Sequence, residues 1–332
     1  MNHLSGISPS DSFSVTDTVR EPENAIAEAI QELRGVTLVS EPGENYAYNS
    51  VNYLLLGGLI ESMSSMSFSD YLDSEVFEPL EMTNSSADWE GIEDDLVTAH
   101  VSWFGNPVST DAFYDHAGAP YGYIASTTED LSKFLSTVLF DDSSDEIFEG
   151  EGGDNYVYGW FYNDEGDYYH GGATPEYRSQ MMFNEDDGFG LVLLTNKYNF
   201  TEDGQVTEIV DGIGSILKGE PYDFSPGSNS HMQWGLLVAF VIIAVLMLIH
   251  VIRLIKKPAI VKRWQFFLSV VCLVIGAVLI PAVSAAFSTP WKTIWLFAPD
   301  IAWLIISFVA LYVLFGIVLG VVTFDKRSID KN

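Results

Sequence analysis

An α+β domain followed by three membrane-spanning helices is the architecture this sequence predicts, and three observations carry it. Residues 169–195 read YHGGATPEYRSQMMFNEDDGFGLVLLT: a strand, a loop on Pro175, an alternating run from Arg178 to Phe183, an acidic turn ending at Gly188, and an apolar run from Phe189 to Leu194. That is the pattern of a strand followed by a two-stranded hairpin. Four helical patterns, over 23–33, 48–63, 68–77 and 128–139, precede it. Three apolar stretches, Trp234 to Ile255, Phe266 to Phe287 and about Ile301 to Phe324, close the chain. Each is long enough to cross a ~30 Å hydrocarbon layer, which takes about 20 helical residues.

The charge is split between the same two parts. Residues 1–230 carry 43 Asp and Glu against 6 Lys and Arg, whereas 231–332 carry 3 against 9. So acidic a field argues against nucleic acid and anionic lipid as partners of the N-terminal part. The clusters Glu93-Asp94-Asp95, Asp141-Asp142 and Glu185-Asp186-Asp187 lack the regular ligand spacing of a calcium loop and read as a solvated acidic surface. Cys272, the single cysteine, lies in an apolar run, so neither a disulfide framework nor a zinc site is expected. No metal or cofactor is implied.

In chain order, NHLSGI at residues 2–7 precedes a Ser/Asp-rich loop. Glu23 to Leu33 places Ile26, Ile30 and Leu33 at helical spacing with acidic residues early, a short amphipathic helix. Glu41-Pro42-Gly43 is a turn, and Tyr48 to Met63 is an apolar helix buried around most of its circumference. Phe68 to Phe77 reads as another helix, closed by Pro79. Residues 84–120 show little periodicity. A capping threonine before Glu129-Asp130 opens a helix through Leu139. After an acidic loop at 141–154, Tyr156 to Phe161 starts the strand set, and Asp203 to Leu217 forms a closing helix. These boundaries give a domain over 1–219, a linker over 220–233 that contains Ser225-Pro-Gly-Ser-Asn-Ser230, a three-span region over 234–324 and a tail over 325–332.

Arg253, Lys256, Lys257, Lys262 and Arg263 lie between the first two spans, and Lys326, Arg327 and Lys331 follow the third. Basic connections stay in the cytoplasm, so residues 1–230 are expected outside a multi-pass cell membrane, with the C-terminus inside. Trp234, Trp264, Trp291 and Trp295 fall near span ends, where indoles favour the interface. His250 and Asp300 are the polar residues at membrane depth, and Asp300, beside Pro299, reads as an interfacial cap. Residues 1–30 contain no apolar run to serve as an export signal.

The ordered segments NHLSGI, EPGENYAYNSVNYLLLGGLIE, VFEPLEMTNSS, GAPYGYIASTTEDLSKFL, YHGGATPEYRS and GLVLLTN resemble the β-lactamase-related serine hydrolases, which include class C β-lactamases and D-alanyl-D-alanine carboxypeptidases. The resemblance runs over residues 1 to about 219. It implies a β-lactamase/transpeptidase-like fold, an antiparallel sheet with a helical domain. It also implies three catalytic elements: a Ser-x-x-Lys on a helix, a Tyr-x-Asn on a loop and a Lys- or His-x-Gly on a strand. Serine attacks a carbonyl, Lys or Tyr takes its proton, the acyl-enzyme is hydrolysed, and backbone N–H groups hold the oxyanion.

By this resemblance Tyr48 stands at the catalytic tyrosine and His170 at the third motif, with Gly171 and Gly172 letting a substrate backbone lie along the strand. Ser50 stands where the family has Asn, and its shorter hydroxyl cannot both donate to and accept from a substrate amide at the same reach. Glu176 replaces the usual glycine after Pro175 and is expected to narrow or charge the rim. The family's Ser-x-x-Lys lies several tens of residues before the segment matched by NHLSGI, which here begins at residue 2. Ser215-Ile-Leu-Lys218 and Ser328-Ile-Asp-Lys331 match that string but fall in the closing helix and the tail, and read as coincidence.

The sequence is therefore expected to hold the later part of a hydrolase that acts on an amide, ester or β-lactam, incomplete at its N-terminus and inactive as it stands for want of a nucleophile. The alternative is a non-catalytic module that binds or senses cell-wall peptide. Either reading implies a small-molecule or peptide ligand and membrane lipid as partners.

Overall fold

A computed structural model describes residues 2–140, 155–222, 230–256 and 263–329. The chain divides into two units, Met1–Ser102 with Pro107–Gly227, and Trp103–Asn106 with Ser228–Asn332. In the first, α1 (Pro9–Val15) forms where the sequence reads as a loop. Its signal is local: the Ser8 hydroxyl accepts the Asp11 N–H at 3.1 Å, and Pro9 occupies the first turn, where its missing N–H costs nothing. Helices α2 (Ala25–Glu32) and α3 (Val51–Ser64) follow the expected apolar periodicity. A short α4 (Phe68–Leu72) then runs into a single π-helical turn, Asp73–Phe77. Val15, Ile26, Ala29, Val51, Leu54, Phe68 and Ala119 build the core between them. Gly57 admits Pro120 so closely that a β-carbon there would stand 2.3 Å from its ring.

The segment 84–120 is more regular than its sequence suggests. It contains β1 (Ala99–Trp103) and β2 (Asn106–Thr110), and β1 pairs in parallel with β8 (Lys197–Tyr198), His100 opposite Lys197, in a sheet ordered β2-β1-β8. Pairing with a strand almost a hundred residues away stabilises a segment that has little local pattern.

The main sheet has the order β3-β4-β5-β6-β7 and is antiparallel throughout. Tyr156 to Phe161, where the strand set is expected to start, holds two strands: β3 (Tyr156–Val157) and β4 (Trp160–Tyr162) flank a tight turn in which Tyr158 has φ 44° and Gly159 φ 103°. The strands β5 (Asp167–Ala173), β6 (Arg178–Asn184) and β7 (Phe189–Thr195) follow. Alternation along β6 sends Met181 and Phe183 to one face, where they pack with Leu135 of α5 (Thr128–Phe140). Thr127, whose hydroxyl accepts the Asp130 N–H at 3.2 Å, starts that helix. Arg178, Gln180 and Met182 face the opposite way, toward α6 (Asp203–Leu217).

The second unit contains α7 (His231–Lys256), α8 (Arg263–Ala286), α9 (Trp291–Phe297) and α10 (Pro299–Ile329). Its segments His231–Lys256, Trp264–Ala286 and Pro299–Phe324 are long and apolar enough to cross a membrane. Small residues let α8 and α10 approach: Gly316 lies against Leu273, and the Ser269 hydroxyl donates to the Gly316 carbonyl at 2.6 Å. Buried Asp300 accepts the Ile301 N–H at 2.8 Å and the Phe104 N–H at 3.1 Å. The acidic loop 141–154 and all of the Ser225–Ser230 segment except Ser230 lie outside the described residues.

Candidate active site

Two elements of the first unit deliver the two aromatic residues that the sequence singles out. Tyr48 stands just before α3, and His170 lies in the middle of β5 opposite Met181. Although 122 residues separate them in sequence, Tyr48 Oη lies 3.4 Å from His170 Nε2. Phe161 of β4 stacks on both rings, 6.1 Å from Tyr48 and 5.7 Å from His170 between centroids. Burial, helped by Tyr53 and Tyr46, pushes the Tyr48 phenol up to about 12. Burial, with the charge of Arg178 second, lowers His170 to about 4, while a hydrogen bond with the Gly171 backbone works the other way. At neutral pH the contact joins a protonated phenol to an uncharged imidazole.

Strand β4 pairs with β5 only at Tyr168 and Tyr169. Beyond that point the edge of β5 at Gly171 to Ala173 has no strand partner among the described residues, directly after His170. The other side of the glycine pair is filled by the protein itself. A β-carbon at Gly171 would lie 2.5 Å from Arg178 Nη1 and 2.6 Å from Gln180 Oε1, and one at Gly172 would lie 2.5 Å from Ser179 Oγ. Arg178 has little freedom to give way: its Nε donates to Asp203 at 2.6 Å and its Nη1 to the Gly172 carbonyl at 3.3 Å. The glycines are thus required by side chains folding over the strand as well as by any approach from its free edge.

Ser50 immediately precedes α3. Its carbonyl accepts the Tyr53 and Leu54 N–H groups at 3.0 and 3.1 Å, and its hydroxyl makes no capping bond. Neither Ser50 nor Gly172 lines the cavity that Tyr48, His170 and Gly171 share. That cavity, of about 690 Å³, runs from Tyr48 and His170 past Gly171 and Gln180 to Ser215 and Lys218 on and beyond α6.

The Ser215-x-x-Lys218 string therefore shares a cavity with the tyrosine and histidine, yet its lysine is fully committed. Lys218 Nζ lies 2.8 Å from Asp167 and 3.5 Å from Glu165. Burial alone would lower its pKa, but the bonds and charges of Asp167 and Glu165 outweigh that and raise it. Asp167, itself held by Asn184 and Asn163, stays ionised. An ammonium held in this way cannot take a proton from Ser215. Lys331 of the second string lies outside the described residues.

Glu176 departs from its expected place on the rim. It is 5% exposed, and its carboxylate accepts the Phe113 N–H at 3.2 Å. Burial raises it to about 7, against the pull of the Phe113 and Glu176 backbone N–H groups. The sequence reading missed His3, Tyr156 and Phe161, which surround Tyr48. The signal for His3 was available in NHLSGI, whereas Tyr156 and Phe161 are ordinary aromatics until the strands bring them together. Among the described residues no group of three or more His, Cys, Asp or Glu side chains is placed to hold a metal.

Residues 1–212 match the Beta-lactamase family. The chain is 29% identical over 206 residues to Protein flp of Staphylococcus aureus (strain COL), covering 58% of this chain and 41% of that protein. It is 25% identical over 217 residues to penicillin-binding protein 4* of Bacillus subtilis (strain 168), covering 57% and 48%. It therefore spans less than half the length of these curated relatives. In fold it is similar to the octameric penicillin-binding protein homologue from Pyrococcus abyssi, with a TM-score of 0.56 and 24% identity over 66% of this chain and 55% of that one. With a family match over well more than half of its residues, the chain belongs to the Beta-lactamase family, among the β-lactamase-related serine hydrolases.

Proposed function

We propose that the first unit is the substrate-holding part of a membrane-anchored acyl-serine hydrolase, with Tyr48 and His170 on either side of an amide, ester or β-lactam carbonyl. The observation that carries this reading is the 3.4 Å approach of Tyr48 Oη to His170 Nε2 beside the free edge of β5. A carbonyl lying along that edge would meet backbone N–H groups, a phenolic donor and a neutral imidazole, with the Phe161 ring forming one wall. The open glycine edge suits an extended, peptide-like acyl group. The basic residues after the first and third spans support an extracellular first unit and a cytoplasmic C-terminus.

Residues 1–332 by themselves bind such a ligand without forming an acyl-enzyme, because the lysine of the one described Ser-x-x-Lys string is held by two carboxylates. A purely binding or sensing role for this unit rests on the same fact and on the raised phenol of Tyr48, which donates a hydrogen bond at neutral pH but does not accept a proton. The two readings separate experimentally. The full chain in lipid nanodiscs should bind ampicillin reversibly and take up neither a fluorescent penicillin nor a fluorophosphonate. Stable labelling would overturn the claim of inactivity, and absence of any ampicillin binding would overturn the assignment of the site.

A further inference from the structure

Forty-five residues before Tyr48, at the start of the chain, lies a buried histidine that contacts it. His3 is 1% exposed and has φ 50°, a backbone conformation that a non-glycine residue adopts only when its surroundings require it. Both ring nitrogens are used. Nδ1 lies 3.2 Å from the Asn49 N–H and 3.0 Å from Asn52 Nδ2, two donors, so it is the acceptor. The ring proton is thereby assigned to Nε2, which donates to Tyr156 Oη at 3.1 Å. Tyr156 Oη in turn lies 2.9 Å from Tyr53 Oη on α3.

The Asn49 N–H belongs to the peptide unit that joins Tyr48 to Asn49, so His3 grips the backbone that carries the tyrosine. Its ring also lies beneath the Tyr48 ring, 4.2 Å between centroids and tilted 36°. The His3 carbonyl adds a third hold by accepting the Ala47 N–H at 2.9 Å, one residue before Tyr48. Tyr48 is 43% exposed, and its other ring neighbours are Tyr156, Phe161 and His170.

We infer that His3 is a positioning residue: a single-tautomer imidazole that fixes both the peptide and the ring of Tyr48, and so keeps its hydroxyl against His170. This rests on the reading of Tyr48 and His170 as one substrate-facing pair. Burial and the neighbouring His170 keep His3 uncharged down to about pH 4, so neither imidazole is charged in the neutral range.

The test uses the full chain in nanodiscs with ¹³Cζ-tyrosine and ¹⁵N-histidine labels, and three variants: His3→Ala, His3→Gln and Tyr156→Phe. His3→Gln retains an acceptor and a donor, whereas Tyr156→Phe leaves His3 in place without its acceptor. In the native chain His3 should show the neutral Nε2–H tautomer. In His3→Ala the Tyr48 resonance should titrate about one pH unit lower, toward the ordinary phenol, and ampicillin should bind about 10-fold more weakly. Tyr156→Phe should move both readouts the same way by less, and His3→Gln should restore most of the native behaviour. A merely structural histidine would lower the melting temperature but leave the Tyr48 titration of the folded protein unchanged, and that result overturns the inference. If His3→Ala does not fold, Tyr156→Phe and His3→Gln decide by the same criteria. Failure of the native chain to bind ampicillin overturns the site assignment instead, and the Tyr48 titration still decides on His3.

Discussion

The two ends of one cavity differ in how they treat charge. At one end buried Asp167 and half-buried Lys218 form an ion pair with exposed Glu165 at its margin, and Asn184 and Asn163 satisfy the remaining lone pairs of Asp167. At the other end Tyr48 and His170 are both pushed away from ionisation, and their single contact is neutral. The first arrangement holds α6 to β5 and leaves no proton acceptor for Ser215. The second sets a neutral pair beside an edge of β5 that has no strand partner among the described residues. A catalytic-looking string in a structural cluster and the proposed ligand-facing pair thus differ in what their polar atoms are already bonded to.

The largest expected effect is at the ionic end. Asp167→Ala leaves Lys218 with only the exposed Glu165 as partner, and should destabilise the first unit by about 2–4 kcal/mol in denaturant titrations. A loss below about 1 kcal/mol would mean that the ionic cluster is not what holds α6 in place. Burial works against the depressed pKa of Asp167, but the bonds from Lys218 and the two asparagines prevail. Its contribution is therefore present above the unfolded carboxylate value and lost as pH falls through the lower folded one.

Glu176 gives the next effect, with the opposite sign. Its folded pKa of about 7 lies above the unfolded value, so its contribution is fully present below about pH 4.5 and is lost as pH rises through 7. Glu176→Gln should stabilise the fold by about 2–3 kcal/mol at pH 8, and by nearly nothing at pH 4. Thermal melts across that range check it, and a pH-independent difference would mean that a cation answers the carboxylate after all.

Smaller changes sharpen the description of the neutral end. Gly171→Ala must displace the Arg178 guanidinium or the Gln180 carboxamide and should cost about 1–3 kcal/mol, read by chemical denaturation. Tyr48→Phe keeps the ring and removes only the hydroxyl of a residue that is 43% exposed, so it should alter stability by less than about 1 kcal/mol while weakening ampicillin binding. Because His170 titrates near 4, binding should be flat between about pH 5.5 and 8.

Much of this organisation was legible in the sequence. The hairpin of β6 and β7, the helices α2, α3 and α5 and the three apolar segments follow from periodicity and capping residues that act locally. Motif order brought Tyr48 and His170 into one hypothesis. What escaped depended on distant partners: β1 needs β8, and the strands around Tyr158 need a turn with two positive φ values. Glu176 is expected at the rim from its place after Pro175 in the third motif, but its surroundings bury it against the Phe113 N–H. His3 sat in a motif used for recognition, and only the three-dimensional contacts give it a role.

The most direct test of the paired site is the ¹³Cε1 resonance of His170 in the full chain, followed as ampicillin is added to the native protein and to Tyr48→Phe. Binding at the Tyr48–His170 cleft should shift the His170 signal saturably in the native protein and weakly or not at all in the variant, with Lys218 resonances unchanged in both. A native His170 signal that stays still while ampicillin binds elsewhere would contradict it.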